Sequence, residues 1–280
     1  ENFSQNSFLY QKQYQKALIV LLAIRLQLLE LLNSLALEFI FINLLIIMIQ
    51  GGTSTQAKSR QGRKIKMGMI GGSLEAFIGA VHRRGAQLDG EIELVCGAFS
   101  SSAQKSKETG EALYLDPARV YASYEDMILK EKELPEGERM DFVTIVTPNH
   151  LHFPAAKMAL ENGFHVVSDK PATLNLPEAK ELKKIIDKSG LIYALTHNYT
   201  AYPMIKEAKA LVDAGVLGEI RKVIVEYPQG WLIDLVEATG QKQATWRTDP
   251  ERCGAAGAIG DIGTHAENLV EYITGLEIEE

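Results

Sequence analysis

From residue 64 onward the hydrophobic pattern changes period repeatedly. Short apolar runs at 65–70, 92–98, 142–146, 164–167 and 191–195, rich in β-branched residues, have the length and continuity of strands buried on both faces. Between them, residues 77–87, 103–110, 123–133, 154–162 and 177–189 read as helices. In 177–189, Ala179, Leu182, Ile185 and Ile186 share one face, while Lys180, Lys183, Lys184 and Lys188 face water. Ser123 suits the cap of its helix, with Glu125 and Asp126 in the first turn. Strand and helix in alternation predict an α/β fold built on a doubly wound parallel sheet.

The segment 141–171 shows the repeating unit most clearly. Its first strand gives way to Thr147-Pro148-Asn149, Pro154 suits a first helical turn where its missing N–H has no partner to lose, and Gly163 sits where a helix stops. Parallel strands joined through a helix end at the same edge of the sheet, and ligands of such sheets bind outside that edge. Two loops therefore face the candidate site: Thr147-Pro148-Asn149-His150-Leu151-His152 and Ser168-Asp169-Lys170-Pro171. Pro171 holds the backbone of Lys170 extended, which fixes where the lysine points. Lys170 reads either as a solvated surface lysine or as a group placed for function.

The first strand runs into Gly71-Gly72-Ser73-Leu74-Glu75-Ala76 and then a helix. That position, after a strand and before a helix, is the context of a dinucleotide-binding turn, whose glycines let the backbone approach a pyrophosphate at the helix N-terminus. Here the pattern is G-x-S-x-x-A: Ser73 replaces the middle glycine and crowds the pyrophosphate, and Glu75 brings a carboxylate close to it. Gly71, Ser73, Ala76, Phe77 and Ile78 are the candidate contacts. The second strand ends in Phe99-Ser100-Ser101-Ser102, with no Asp or Glu to hold a ribose 2′-hydroxyl. Ser100 and Ser101, with Lys105 nearby, suit a 2′-phosphate and lean the expectation from NAD towards NADP; the same serines suit helix capping.

Beyond the fifth strand, His197-Asn198-Tyr199 returns to the same edge. A helix at 202–214, a longer strand at 219–227 with alternating Ile220, Val223 and Val225, and a loop-rich stretch at 228–260 are expected next. Gly260-Asp261-Ile262-Gly263-Thr264-His265 then opens a helix running to Gly275. Four residues apart at a helix start, Asp261 and His265 can share one face. A histidine titrating near neutrality can take a proton from a hydroxyl, and a carboxylate beside it can orient it or grip a second hydroxyl. A capping Asp and a partly buried His fit the same positions.

The N-H-L-H loop, the segment His165-Val166-Val167-Ser168-Asp169-Lys170-Pro171 and residues 260–265, in this order, resemble the Gfo/Idh/MocA family of NAD(P)-dependent oxidoreductases. The likeness runs from about Arg63 to the end of the chain. It implies a Rossmann-type dinucleotide domain at 61–199, followed at 200–280 by the start of an incomplete α+β domain for substrate binding and homo-oligomer contacts. It also implies hydride transfer between NAD or NADP and a secondary hydroxyl of a sugar, polyol or cyclitol. Lys170 then serves the substrate oxygen and nicotinamide region, His265 general acid/base work, and Asp261 supports it. Thr147, Pro148, Asn149, His152 and Asp169 join Lys170 on the cofactor, and Asn198, Tyr199, Trp246 and Arg247 join Asp261 and His265 on the substrate. Trp246 reads equally as core, and Arg247 as a surface ion-pair partner. Alternatives are an NAD-dependent glycosidase of the same family and a non-catalytic NAD(P)-binding fragment or regulator.

Composition narrows the field. The 280 residues are 46% apolar and 23% charged, as in soluble globular proteins, and the formal charge of -7 leaves no basic footprint for nucleic acid. Cys96 and Cys253 lack metal-ligand spacing and read as two reduced thiols of a cytoplasmic protein. A metal hydrolase would need about three ligands, for which Asp261 and His265 have only His150 or His152 as a third. Residues 1–60 fall outside the family pattern: two apolar runs, 17–32 and 35–49, precede a polar linker at 51–60. Arg25, Glu30 and Glu38 divide the apolar region into pieces shorter than the roughly 20 residues of a membrane helix. Spurious upstream translation, a membrane anchor and a packed helical extension are the readings open for it.

Overall fold

The computed structural model describes residues 62–279, apart from Gln229, Leu232, Ala255, Ala256 and Ala258. The two N-terminal apolar runs and the linker at 51–60 lie outside the described residues. Five strands, β1 (Ile65–Gly71), β2 (Ile92–Ala98), β3 (Phe142–Val146), β4 (His165–Ser168) and β5 (Tyr193–Leu195), form one parallel sheet in the order β2-β1-β3-β4-β5. The intervening helices are α1 (Phe77–Gln87), α2 (Ala103–Ala112), α3 (Tyr124–Glu133), α4 (His152–Glu161) and α5 (Leu176–Ser189). A single parallel bridge between Gly97 and Val120 extends the sheet beyond β2. Counting Val120 as a strand gives the order 3-2-1-4-5-6 of dinucleotide-binding sheets. One residue carries no period, which is why no strand was expected there.

The sheet is doubly faced because its strands alternate apolar residues to both sides. Along β3, Val143 and Ile145 join Ile70, Met127, Ala155, Ala159 and Leu182 on one face. Phe142 and Val146 join Met67, Met69, Ile92 and Phe99 on the other. Small residues on α4 (Ala155, Ala156 and Ala159, all fully buried) let that helix lie close to the sheet. Glu131 is also fully buried, an unusual site for a carboxylate, and accepts from Arg119 Nε, the Tyr121 hydroxyl and the Met140 N–H, each at 2.9 Å. Those bonds fasten α3 to the chain entering β3 and satisfy a charge that burial would otherwise penalise.

Beyond β5 the chain is helical: α6 (Pro203–Asp213), the short α7 (Lys242–Arg247) and α8 (Pro250–Cys253), a π-helical turn Ile259–Gly263, and α9 (Thr264–Thr274), which packs on α6. Gly275 ends α9 in the left-handed conformation, φ +69°. The expected strand at 219–227 is not formed: no described segment pairs with it, and Val223, Ile224 and Val225 are exposed. Alternating side chains decide which face a strand hides, but its backbone groups need a neighbouring strand to become a sheet. Cys96 and Cys253 are buried free thiols. Among the described residues no helix is long and apolar enough to cross a membrane.

One contact sets the approach of α1 to the sheet. Gly71 and Gly72 turn the chain with φ of +81° and +74°, and a Cβ on Gly79 would stand 2.3 Å from the Gly72 Cα. Gly79→Ala should therefore force the helix off the turn and destabilise the fold by about 1–3 kcal/mol, the usual cost of overpacking. A lowered urea midpoint with unchanged slope is the expected result; an unshifted midpoint contradicts this packing.

Candidate active site

All five strands end at one edge, so the loops after them converge there. In the β1–α1 turn, Ala76 precedes α1 in extended conformation and no side chain caps the helix. Its first N–H groups are thus left for an anion, at a helix end whose dipole favours one. Arg83, on the buried side of α1, donates from Nη1 to the Gly72 carbonyl at 2.6 Å and holds the turn from beneath. Sequence reading missed Arg83; its one signal was a charged residue on the apolar side of an amphipathic helix. Ser73 is buried and its φ is not positive, so a serine fits the turn without backbone strain. The bare helix end and the close glycine approach fit a dinucleotide pyrophosphate. Phe77 stands exposed beside them, while Ile78 packs into the core.

The serines after β2 act locally. Ser102 caps α2 by accepting from the Lys105 N–H, and Ser100 Oγ accepts from the Ser102 N–H at 3.2 Å; Ser101 is exposed. Lys105 does not stand alone, since its ammonium meets Glu75 of the glycine turn at 3.1 Å.

Two residues expected on the cofactor are buried and tie neighbouring loops together. Asn149 Nδ2 donates to the Cys253 carbonyl at 3.0 Å, which fastens the β3 loop to α8. His152 is 1% exposed, with Nδ1 2.6 Å from the Pro171 carbonyl oxygen and Nε2 2.9 Å from that of Thr147. Its ring bridges the β3 and β4 loops, so neither nitrogen is offered to a ligand. Burial follows from its place at the start of α4, beneath both loops. Thr147 and Pro148 remain at the edge, and Asp169 Oδ1 accepts from the Thr196 hydroxyl at 2.9 Å, joining the β4 and β5 loops.

Lys170 is not a solvated lysine. Nζ donates to Asp261 Oδ1 at 2.7 Å and also to the Asp261 backbone carbonyl, and the two side chains are 14% and 17% exposed. This pair joins the end of β4 to the π-helical turn, 91 residues later in the chain. Arg247 Nε lies 3.4 Å from Asp261 Oδ2, and its guanidinium stacks 4.1 Å from the Trp246 ring centre, with Trp231 at 5.7 Å. Asp261 thus receives two cations. Burial opposes its charge, but Lys170 and Arg247 outweigh that cost and hold the carboxyl below its ordinary range.

His265 sits in the first turn of α9, 5% exposed, with Tyr199 edge-on at 4.5 Å between ring centres and His197 at 5.6 Å. Burial, then Lys170 and His197, push its pKa down to about 4 against the pull of Asp169 and Asp261. Asp261 and His265 share the site, but the carboxylate turns to Lys170 and Arg247; its influence on the imidazole is through space. The π-helical turn around Asp261 replaces the regular helical offset that the four-residue spacing suggested. Tyr199 bonds Tyr227 hydroxyl to hydroxyl at 2.8 Å and packs on Tyr202, which makes an aromatic wall, and Asn198 begins the same 3-10 turn. Thr147 Oγ1, His197 Nε2 and Thr264 Oγ1 are buried without hydrogen-bond partners, a set of polar atoms suited to a bound polar ligand. Among the described residues no three His, Cys, Asp or Glu side chains converge as metal ligands.

Sheet order and turn together define a dinucleotide-binding α/β protein. The family model described as an oxidoreductase family with an NAD-binding Rossmann fold matches residues 65–197, and the GFO/IDH/MocA C-terminal domain model matches residues 205–280. The chain belongs to the Gfo/Idh/MocA family. It is 32% identical over 213 residues to the uncharacterized oxidoreductase YfiI of Bacillus subtilis, covering 75% of this chain and 53% of YfiI. Levoglucosan dehydrogenase of Pseudarthrobacter phenanthrenivorans is 27% identical over 168 residues, 60% of this chain and 41% of that protein. The crystal structure of an inositol dehydrogenase homolog complexed with NAD+ from Azotobacter vinelandii superposes with a TM-score of 0.72 at 36% identity, over 77% of this chain and 55% of that one. The chain spans about half the length of the curated relatives it matches.

The depressed pKa of His265 has a measurable consequence. Unfolded, the imidazole titrates near 6.5; folded, near 4. Between these values the unfolded chain binds a proton that the folded chain refuses, so this residue makes stability fall as pH drops from about 6.5 towards 4. Urea unfolding at pH 7 and pH 5 should show a smaller loss for His265→Gln than for the unsubstituted chain. Equal losses contradict the buried neutral imidazole.

Proposed function

We propose that this chain carries the dinucleotide domain, residues 61–199, and part of the substrate site, within 200–280, of a dehydrogenase. The reaction moves a hydride between a nicotinamide dinucleotide and a secondary hydroxyl of a sugar, polyol or cyclitol. The observation that carries the reading is the Lys170–Asp261 pair, which sets an ammonium within electrostatic reach of the buried His265 imidazole at the ligand-binding edge of the sheet. Relatives whose names refer to levoglucosan and inositol support the substrate class, and the NAD+ complex of a structural neighbour supports the cofactor.

Each residue has a task that follows from its state. His265, neutral at pH 7, has a lone pair for the hydroxyl proton, although a pKa of about 4 makes it a weaker base than the near-neutral imidazole expected, and Lys170 supplies positive charge where the alkoxide develops. Asp261 shares the Lys170 ammonium and thereby fixes its position; Arg247, which stacks on Trp246 and donates to Gln243 Oε1 at 2.6 Å, fixes Asp261 in turn. A nicotinamide dinucleotide held at the Gly71-Gly72 turn and the uncapped start of α1 would supply the acceptor for the hydride of the carbinol carbon. Within this chain, the hydroxyl proton has its acceptor in the His265 imidazole.

Turnover with a panel of inositols and aldoses, in NAD+ and NADP+, tests the reading. His265→Ala should lower kcat by about 10² to 10⁴ while the dinucleotide Kd is unchanged. Lys170→Ala should also lower kcat, and the losses should not multiply in the double variant because both groups serve one transition state. Near-normal kcat in both single variants refutes this assignment.

A further inference from the structure

The glycine turn and the loop after β2 are neighbours, because β1 and β2 pair in parallel and end at the same edge. In dinucleotide-binding sheets the adenosine ribose lies across this pair of loops, and an acidic residue at the end of the second strand selects the 2′-hydroxyl. This chain has Phe99-Ser100-Ser101-Ser102 there, and no carboxylate. A carboxylate reaches the place from the other side: Glu75 of the glycine turn meets Lys105, in the first turn of α2, at 3.1 Å, both side chains being more than half exposed. The hydroxyls of Ser100 and Ser102 are meanwhile turned to backbone N–H groups of their own loop.

Resting on the dinucleotide reading above, we propose that the Glu75–Lys105 pair selects the dinucleotide without a 2′-phosphate. Glu75 supplies, from the first turn, the negative charge that the end of β2 lacks. A 2′-hydroxyl can donate to it, whereas a 2′-phosphate carries about two negative charges and accepts only. The phosphate would have to displace Glu75 from Lys105 and tolerate its repulsion at short range. Lys105 is then a latent phosphate ligand, neutralised by its partner. This reverses the preference that the serines and Lys105 suggest when read without Glu75.

Titration calorimetry of the chain with NAD+ and with NADP+ tests the proposal without relying on turnover. The unsubstituted chain should bind NAD+ more tightly than NADP+. Glu75→Gln should shift the ratio of the two Kd values towards NADP+ by about tenfold, the scale of one close charge pair near a surface. Lys105→Gln should move the ratio the opposite way, by weakening NADP+. Tight binding of both dinucleotides with a ratio unchanged in Glu75→Gln, or a preference for NADP+ in the unsubstituted chain, overturns this inference alone. Binding of neither overturns the dinucleotide reading and this inference with it.

Discussion

The site depends on one ion pair. Lys170 follows β4, Asp261 lies in a π-helical turn of the helical segment beyond the sheet, and their contact joins the two regions at the site. A largely buried pair of this kind contributes little to stability in its own right, because desolvation offsets attraction; its value lies in specifying one arrangement of the groups. Arg247 adds a second cation to the same carboxylate, and the packing of its guanidinium against Trp246 and Trp231 explains how an arginine is held there. Burial first, and then the charge of Lys170, keeps the His265 imidazole unprotonated.

The sheet supplies the rest. Parallel strands send every following loop to the same edge, and this chain ties those loops to one another with buried polar contacts. His152 joins the loops after β3 and β4, Asp169 joins those after β4 and β5, and Asn149 reaches to α8. At the remote end of the edge, Arg83 supports the glycine turn by its carbonyl. The loops around the candidate site are thereby held to one another by buried side chains.

Much of this was legible in the sequence. Apolar runs of strand length between helical periods gave all five strands and the helices between them, because burial on both faces leaves a continuous apolar signal. Pro154, Gly163 and Ser123 marked helix ends for local reasons: a missing N–H, a positive φ and a capping hydroxyl. Lys170, Asp261 and His265 were found by motif, and the structure brings the three together. What sequence could not convey was partnership across distance. Asn149 and His152 looked like ligand contacts because their loop faces the site; their side chains point beneath it. Glu131 and Arg119 gave no periodic sign of a buried network. Lys105 reads as a candidate phosphate ligand, and its contact with Glu75, 30 residues earlier, carries no local sign in the sequence. The alternation at 219–227 was real, but a strand also needs a neighbour, and periodicity within one segment does not report one.

The central claim is that Lys170 and Asp261 act as a unit that holds the site together. A double-mutant cycle in urea unfolding, with Lys170→Met, Asp261→Asn and both together, measures this directly. The two single changes should each destabilise the fold by leaving a partner charge poorly compensated, and the double change should cost less than their sum, with a coupling of about 1–3 kcal/mol. Additive losses, with a coupling indistinguishable from zero, would contradict the account.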